Sequence, residues 1–194
     1  MIPATTMHRL ESQIELTPDF PEDGVLFRNI SPLLERDFTL VTDVLGKILA
    51  INHDLDEIDM FGGLDARGFI LAGALSQKFN KGMLMIRKDG KLPPPVHTES
   101  FDTEYAPRRI ALQSGEGRVF VVDDVLATGG TLKAAGNLCE KAGYNVAGFM
   151  TLIDLAFLND FRWNGHKCLS ALRYEEPAQV LYPQSAVEKI PAFK

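Results

Sequence analysis

The chain has 194 residues, 45% of them hydrophobic and 24% charged, and its 20 Lys and Arg are outnumbered by 26 Asp and Glu. A chain of this length buries roughly 70% of its unfolded surface, so one core, or one core with a small appendage, is expected. The formal net charge of −6 argues against an extended nucleic-acid or acidic-membrane surface, which needs clustered cations. Two cysteines, Cys139 and Cys168, make neither a disulfide framework nor a metal spacing, which suits a reduced, cytoplasmic protein. The N-terminus MIPATTMHRLESQ has no apolar signal-peptide core, and no run of about 18 apolar residues occurs. His8, His53, His97 and His166 show no paired ligand spacing, so a direct metal site is not expected.

In chain order, Leu40, Val41, Val44, Leu45, Ile48 and Leu49 recur at helical spacing and predict a helix over 37–51. Residues 58–62 predict a short strand. Residues 69–80 predict a helix with Leu71, Ala74, Leu75 and Phe79 on one face, and Gly82 lies just past its end. Residues 83–87 predict a strand, and the apolar run 118–122 predicts a central parallel strand covered on both faces. A helix over 131–142, a strand over 145–153 and a last short strand within 169–175 follow. Strand and helix alternate, so the expected fold class is α/β: a parallel sheet with helices on both faces. In such folds ligands bind at the carboxyl ends of the strands.

Three strand-end segments concentrate chemistry. The first is Val121-Val122-Asp123-Asp124-Val125-Leu126-Ala127-Thr128-Gly129-Gly130-Thr131. Two carboxylates follow an apolar strand, and a turn of small and hydroxyl residues opens a helix. Free N–H groups at a helix start bind anions, and the helix dipole favours negative charge there. Asp123 and Asp124 suit sugar hydroxyls, directly or through metal-bound water. The run reads as a site for a phosphorylated sugar. A plain capped helix after a strand is the alternative for any one piece of it. The second segment, Gly63-Leu64-Asp65-Ala66-Arg67-Gly68-Phe69, brings a guanidinium suited to a diphosphate; a salt-bridged helix start is its plainer meaning. The third runs from Arg87 to Arg109 with no helical period, a length typical of a functional lid or a disordered segment; a solvated surface excursion is its plainer meaning. It opens with Arg87, Lys88 and Lys91 around Asp89.

The 121–131 run resembles the phosphoribosyl pyrophosphate (PRPP) motif of the type I phosphoribosyltransferases. That resemblance implies ribose roles for Asp123 and Asp124, and 5′-phosphate roles for Ala127, Thr128, Gly129, Gly130 and Thr131. It implies pyrophosphate roles for Asp65, Ala66, Arg67, Arg87, Lys88 and Lys91, with a non-proline cis peptide at Asp65–Ala66. The order GLDARGF, IRKDGKLP, SFDTEY and VVDDVLATGGT, with Asp19-Phe20-Pro21 and Gly24 to Leu33 before it, is similar to the adenine phosphoribosyltransferases. The likeness spans about residues 19 to 175. It implies an N-terminal hood over 1–36, a PRPP-binding core over 37–175 with a flexible lid at 88–109, and a tail over 176–194, in a single domain. Ala106, Pro107, Arg108, Arg109 and Pro94 depart from the family pattern.

The implied reaction is adenine + PRPP ⇌ AMP + pyrophosphate, through an oxocarbenium-like state at the anomeric carbon. Mg²⁺ would be held by PRPP, pyrophosphate and water rather than by the chain. Glu104 is the implied acid/base near purine N7, with Arg67 beside the reacting groups. Leu26, Phe27, Arg28 and Val125 would form the base pocket, Phe27 and Val125 on the faces and backbone near 26 and 28 on the edge. Phe27 as a core residue is an equal reading. The implied partners are adenine, PRPP, AMP and pyrophosphate in a homodimer, without nucleic acid or membrane. A hypoxanthine/guanine or xanthine enzyme and a non-catalytic PRPP-sensing regulator are the competing functions. The acidic total does not oppose a small polyanion, since backbone N–H groups and a diphosphate-borne cation escape charge counting.

Overall fold

The structure, a computed structural model, describes residues 2–102 and 107–177. The chain begins with helix α1 (Ala4–Glu11), strands β1 (Glu15–Thr17) and β2 (Phe27–Asn29), and helix α2 (Ser31–Asn52). Then come β3 (Met60–Leu64), α3 (Arg67–Phe79), β4 (Gly82–Lys88), β5 (His97–Asp102), β6 (Pro107–Leu112), β7 (Arg118–Leu126), α4 (Gly130–Lys141), β8 (Asn145–Leu155) and β9 (Cys168–Tyr174). Strands β1 and β2 pair antiparallel on their own. The other seven form one sheet in the order β5-β6-β4-β3-β7-β8-β9. Five of them, β4-β3-β7-β8-β9, are parallel, and the β5–β6 hairpin adds to the edge antiparallel.

Strand β7 shows why the sheet sits at the centre. Phe120 and Val122 pack with Leu71 and Leu75 of α3 and with Val41, Val44, Leu45 and Leu49 of α2. Val119 and Val121 point the other way, against Leu132, Ala135 and Leu138 of α4. Side chains alternate across a strand, so an unbroken apolar run is what a sheet with two covered faces requires. The expected α/β class, with helices on both faces, is the observed one.

Several boundaries differ from the sequence expectation. Helix α2 starts at Ser31, six residues before the expected 37, with Pro32 in its first turn where a missing N–H costs nothing. It bends at Asp37 (φ −140°, ψ 42°), and that break hid its first turn from the periodicity. Asp37 accepts from Arg9 (2.6 and 2.8 Å) and from Gln13 (2.7 Å), which ties the bend to α1. The Gln13 hydrogen bond, aided by Arg9, holds the Asp37 carboxyl below its usual range. Helix α3 begins at Arg67, not 69, and β7 runs four residues past the expected 122.

Candidate functional site

The sheet order places β3 beside both β4 and β7. Chain direction across the sheet reverses there, so the loops after β3 and β7 leave it side by side, the usual place for a ligand crevice in open α/β sheets. Gly63 pairs with Val122, which sets Asp65 and Asp124 at nearly the same height. An open cleft of about 1060 Å³ lies there. Asp65, Ala66, Arg67, Lys88, Asp123, Asp124, Val125, Ala127 and Thr131 line it, with Leu26, Phe27 and Arg28 from the N-terminal segment.

Two glycines let the first loop come this close. A Cβ on Gly63 would lie 2.7 Å from Gly68 O, and one on Gly68 would lie 2.7 Å from Val122 O and 3.1 Å from Asp123 Oδ1. The first turn of α3 therefore rests directly on the ends of β3 and β7. The segment 63–69 divides sharply: Gly63 and Leu64 are strand, Asp65 and Ala66 form the turn, and Arg67 starts the helix. The Asp65–Ala66 peptide is cis, at the expected place.

Asp123 and Asp124 belong to β7 itself rather than to the loop after it. They keep strand geometry because the ladder to β8 continues through Leu126. Asp123 Oδ1 accepts from the Asp124 backbone N–H at 2.9 Å. Asp124 is 5% exposed. Its Oδ2 lies 2.9 Å from Arg67 Nε, but the N–H is not aimed at it, so that oxygen has no hydrogen-bond partner. Burial pushes the Asp123 carboxyl well above its usual range, and the neighbouring Asp124 charge adds to the shift. The two acids thus stand side by side at the head of the cleft.

The helices that start at the cleft have bare ends. Neither α3 nor α4 has a side-chain cap or an acidic residue in its first turn. Their leading N–H groups have no intrahelical acceptor. Gly129 caps α4 at φ 88°, a left-handed conformation, and a Cβ there would also lie 3.0 Å from the Phe161 ring. Thr128 and Gly129 complete the turn after Ala127, and Gly130 and Thr131 open α4.

Phe27 is half-buried, not core. Its ring meets Phe20 edge-on at 5.1 Å, and the Arg67 guanidinium lies 5.3 Å from its centroid. Arg28 sits deeper, 5% exposed, its guanidinium 4.4 Å over the Tyr174 ring with Nε and Nη2 unpartnered. Burial and the nearby Glu11 push the Tyr174 hydroxyl up to about 12. Arg87 and Lys91 are not in the cleft wall. Arg87 Nε donates to Asp65 Oδ2 at 3.3 Å, and Arg87 Nη1 to Lys91 O at 3.2 Å. Glu104 lies outside the described residues, as do Thr103, Tyr105 and Ala106.

The cleft also takes in residues to which the sequence assigned no role, among them Asp89, Phe101, Arg108 and Arg109. Arg109 pairs with Asp89 at 3.3 Å and donates to Thr98 Oγ1 at 2.8 Å. Arg108 and Arg109 stand out in the sequence as a departure from the family pattern, and the β5–β6 hairpin carries both to the cleft. Among the described residues, no group of three or more His, Cys, Asp or Glu stands ready to hold a metal, and no helix is long and apolar enough to cross a membrane.

A phosphoribosyl transferase domain model matches residues 39–156. The adenine phosphoribosyltransferase of Bdellovibrio bacteriovorus is 46% identical over 165 residues, covering 85% of this chain and 99% of that protein. The crystal structure of the Rhodothermus marinus adenine phosphoribosyltransferase superposes with a TM-score of 0.75 at 33% identity, over 89% of this chain and 100% of that one. The Saccharomyces cerevisiae adenine phosphoribosyltransferase, crystallised with an imino-altritol bisphosphate and adenine, gives 0.77 at 27% identity, over 88% of this chain and 100% of that one. A cleft at the β3/β7 crevice, two acids at its head and two bare helix ends facing it are thus joined to a match along nearly the whole chain, and the chain belongs to the phosphoribosyltransferase family, among the adenine phosphoribosyltransferases.

Proposed function

We propose that this chain transfers the 5-phosphoribosyl group of PRPP to N9 of adenine, giving AMP and pyrophosphate. The observation that carries the proposal is the cleft that the loops after β3 and β7 share, with Phe27 in its wall. Asp123 and Asp124 accept from the ribose hydroxyls. Hydroxyl donors suit the two acids at the head of the cleft, which a second anion would not. The turn from Ala127 to Thr131 and the start of α4 bind the 5′-phosphate through N–H groups and the Thr128 and Thr131 hydroxyls. Asp65, Ala66 and Arg67 at the start of α3, with Lys88, face the diphosphate. Arg108, which has no ion-pair partner among the described residues, adds a cation from the hairpin.

Among the described residues Asp123 and Asp124 have no third ligand beside them, which suits a Mg²⁺ that PRPP, pyrophosphate and water would hold, the two acids meeting it through ribose hydroxyls or water. When bound, the ion spreads the charge of the leaving pyrophosphate. As the C1–diphosphate bond breaks, positive charge develops at C1 and negative charge on the leaving oxygens. Arg67 and Lys88 are placed to stabilise the latter. Segment 88–109 closes as a lid and excludes water, while 1–36 acts as a hood over the base. Glu104, by family resemblance, hydrogen-bonds the purine at N7 and assists proton movement as N9 becomes nucleophilic. Phe27 and Val125 sandwich the ring. Backbone groups at Leu26 and Arg28 read its edge, and a 6-oxo purine would leave them unpaired.

Ile70, Met83 and Met85 are 42–48% exposed on neighbouring parts of α3 and β4. A homodimer burying this patch gives Arg87 and Lys91, which are not in the wall of their own cleft, a route to the partner's diphosphate. The location is cytoplasmic. Both thiols stay unpaired, and burial pushes each up to about 12. The test is pyrophosphate release from PRPP and Mg²⁺ with adenine, hypoxanthine, guanine, xanthine or orotate. Release with adenine alone is expected, and its absence refutes the proposal.

A further inference from the structure

The turn between β7 and α4 is held from behind by a residue outside the cleft wall. Asn159 follows the 3-10 turn Ala156–Leu158. Its Nδ2 donates to Ala127 O at 2.8 Å, to Leu155 O at 2.9 Å and to Asp154 Oδ1 at 3.1 Å. Its Oδ1 accepts from the Phe161 backbone N–H at 3.1 Å. Reversing the amide would aim its oxygen at three acceptors and its NH₂ at a donor, so only one orientation is satisfied. Asp154 is 2% exposed, and its other oxygen accepts from Arg173 Nη1 at 2.5 Å, which fixes the carboxylate that fixes the amide. Phe161, held through the same Asn159, packs its ring beneath Gly129.

The consequence follows from peptide geometry. The C=O and N–H of a trans peptide point in opposite directions, and the Ala127–Thr128 bond is trans. Tying Ala127 O outward to Asn159 therefore turns the Thr128 N–H inward, toward the hollow of the turn. We propose that Asn159 is a positioning residue that presets the Thr128 N–H for the 5′-phosphate, backed by Asp154 and Arg173. The proposal rests on reading 127–131 as the 5′-phosphate turn. A preset donor loses no reorganisation energy when the ligand arrives. Removing the brace frees the peptide to rotate and should weaken the phosphate end of the substrate specifically.

The test is titration calorimetry on the full chain with ribose 5-phosphate and, separately, magnesium pyrophosphate, for N159A and N159D. N159D is nearly isosteric and keeps the acceptor for the Phe161 N–H, but has no donor for Ala127 O. Thermal unfolding confirms that each variant is folded. Ribose 5-phosphate affinity should fall at least tenfold, magnesium pyrophosphate affinity should stay within twofold, and the PRPP KM should rise tenfold while kcat stays within threefold. Equal loss of both ligands, or of neither, overturns the proposal. In the wild-type protein the Thr128 amide resonance should shift on adding ribose 5-phosphate, and no shift overturns the proposal whatever the variants do. T131V separates the two levels. If it weakens ribose 5-phosphate while the Asn159 variants do not, the brace fails and the turn stands; if none of the three matters, the turn itself is misassigned.

Discussion

Gly68 is the joint between the two halves of the cleft, and Gly68→Ala tests whether that joint matters. The new Cβ would stand 2.7 Å from Val122 O, where ordinary contact begins at 3.4 Å, so about 0.7 Å of movement is required. The closest neighbour is the Val122 carbonyl oxygen, followed by Asp123 Oδ1 and Asp123 Cα, so no side-chain rotation relieves the shortest contact. Overpacking of this kind costs about 1–3 kcal/mol, or roughly 2–12 °C in the melting temperature of a chain this size. The movement also separates Arg67 from the Asp123–Asp124 pair. Since misplacement by about 1 Å can cost on the order of 100-fold in rate, kcat/KM for PRPP should fall by about tenfold or more. Gly73→Ala is the control on the same helix, since its Cβ meets only Met83 Sδ at 3.6 Å. It should leave kinetics unchanged and raise stability by up to about 1 kcal/mol. Calorimetric melting and steady-state kinetics on both variants decide the matter. If G68A matches G73A in melting temperature and in kcat/KM, the joint has no such role.

Asp123→Asn should stabilise the free protein at pH 7 while weakening PRPP. A carboxyl whose folded pKa is raised favours folding less as pH climbs from its unfolded value of about 4 through the folded value. The gain in melting temperature should therefore shrink to nothing near pH 4, and a pH-independent gain would contradict the assigned shift. Arg108→Glu should raise the PRPP KM roughly tenfold, about the worth of one charge-assisted hydrogen bond at ~1.5 kcal/mol, with the adenine KM unmoved; parallel changes in both would place Arg108 elsewhere. Glu104→Gln should lower kcat by at least roughly 100-fold, the low end for general acid–base catalysis, while calorimetry finds PRPP binding intact; unchanged turnover removes Glu104 from the mechanism.

The parallel core was legible because β3, β7 and β8 are apolar runs and α3 and α4 carry one-faced periodicity. The acid pair was legible too, but its place was not. Asp123 and Asp124 break the apolar run although the hydrogen-bond ladder continues through Leu126, so the strand seemed to stop at 122. The first turn of α2 was obscured by the bend at Asp37, whose partners lie 24 and 28 residues away. Strands β1 and β2, three residues each, are too short to show a period. The Asn159 brace reaches Ala127 across 32 residues and leaves no local signal. Arg28 was expected to contribute its backbone; its buried guanidinium over Tyr174 depends on β9, which only the folded sheet brings near.

One reversible transfer between a purine and a phosphoribosyl group joins the acid pair, the bare helix ends and the base pocket. Its most direct test follows carbon-labelled adenine with PRPP and Mg²⁺, and then AMP with magnesium pyrophosphate. AMP and pyrophosphate in equal amounts are expected in the first experiment, and adenine with PRPP in the second. Ribose 5-phosphate in place of AMP, or AMP without matching pyrophosphate, would contradict it.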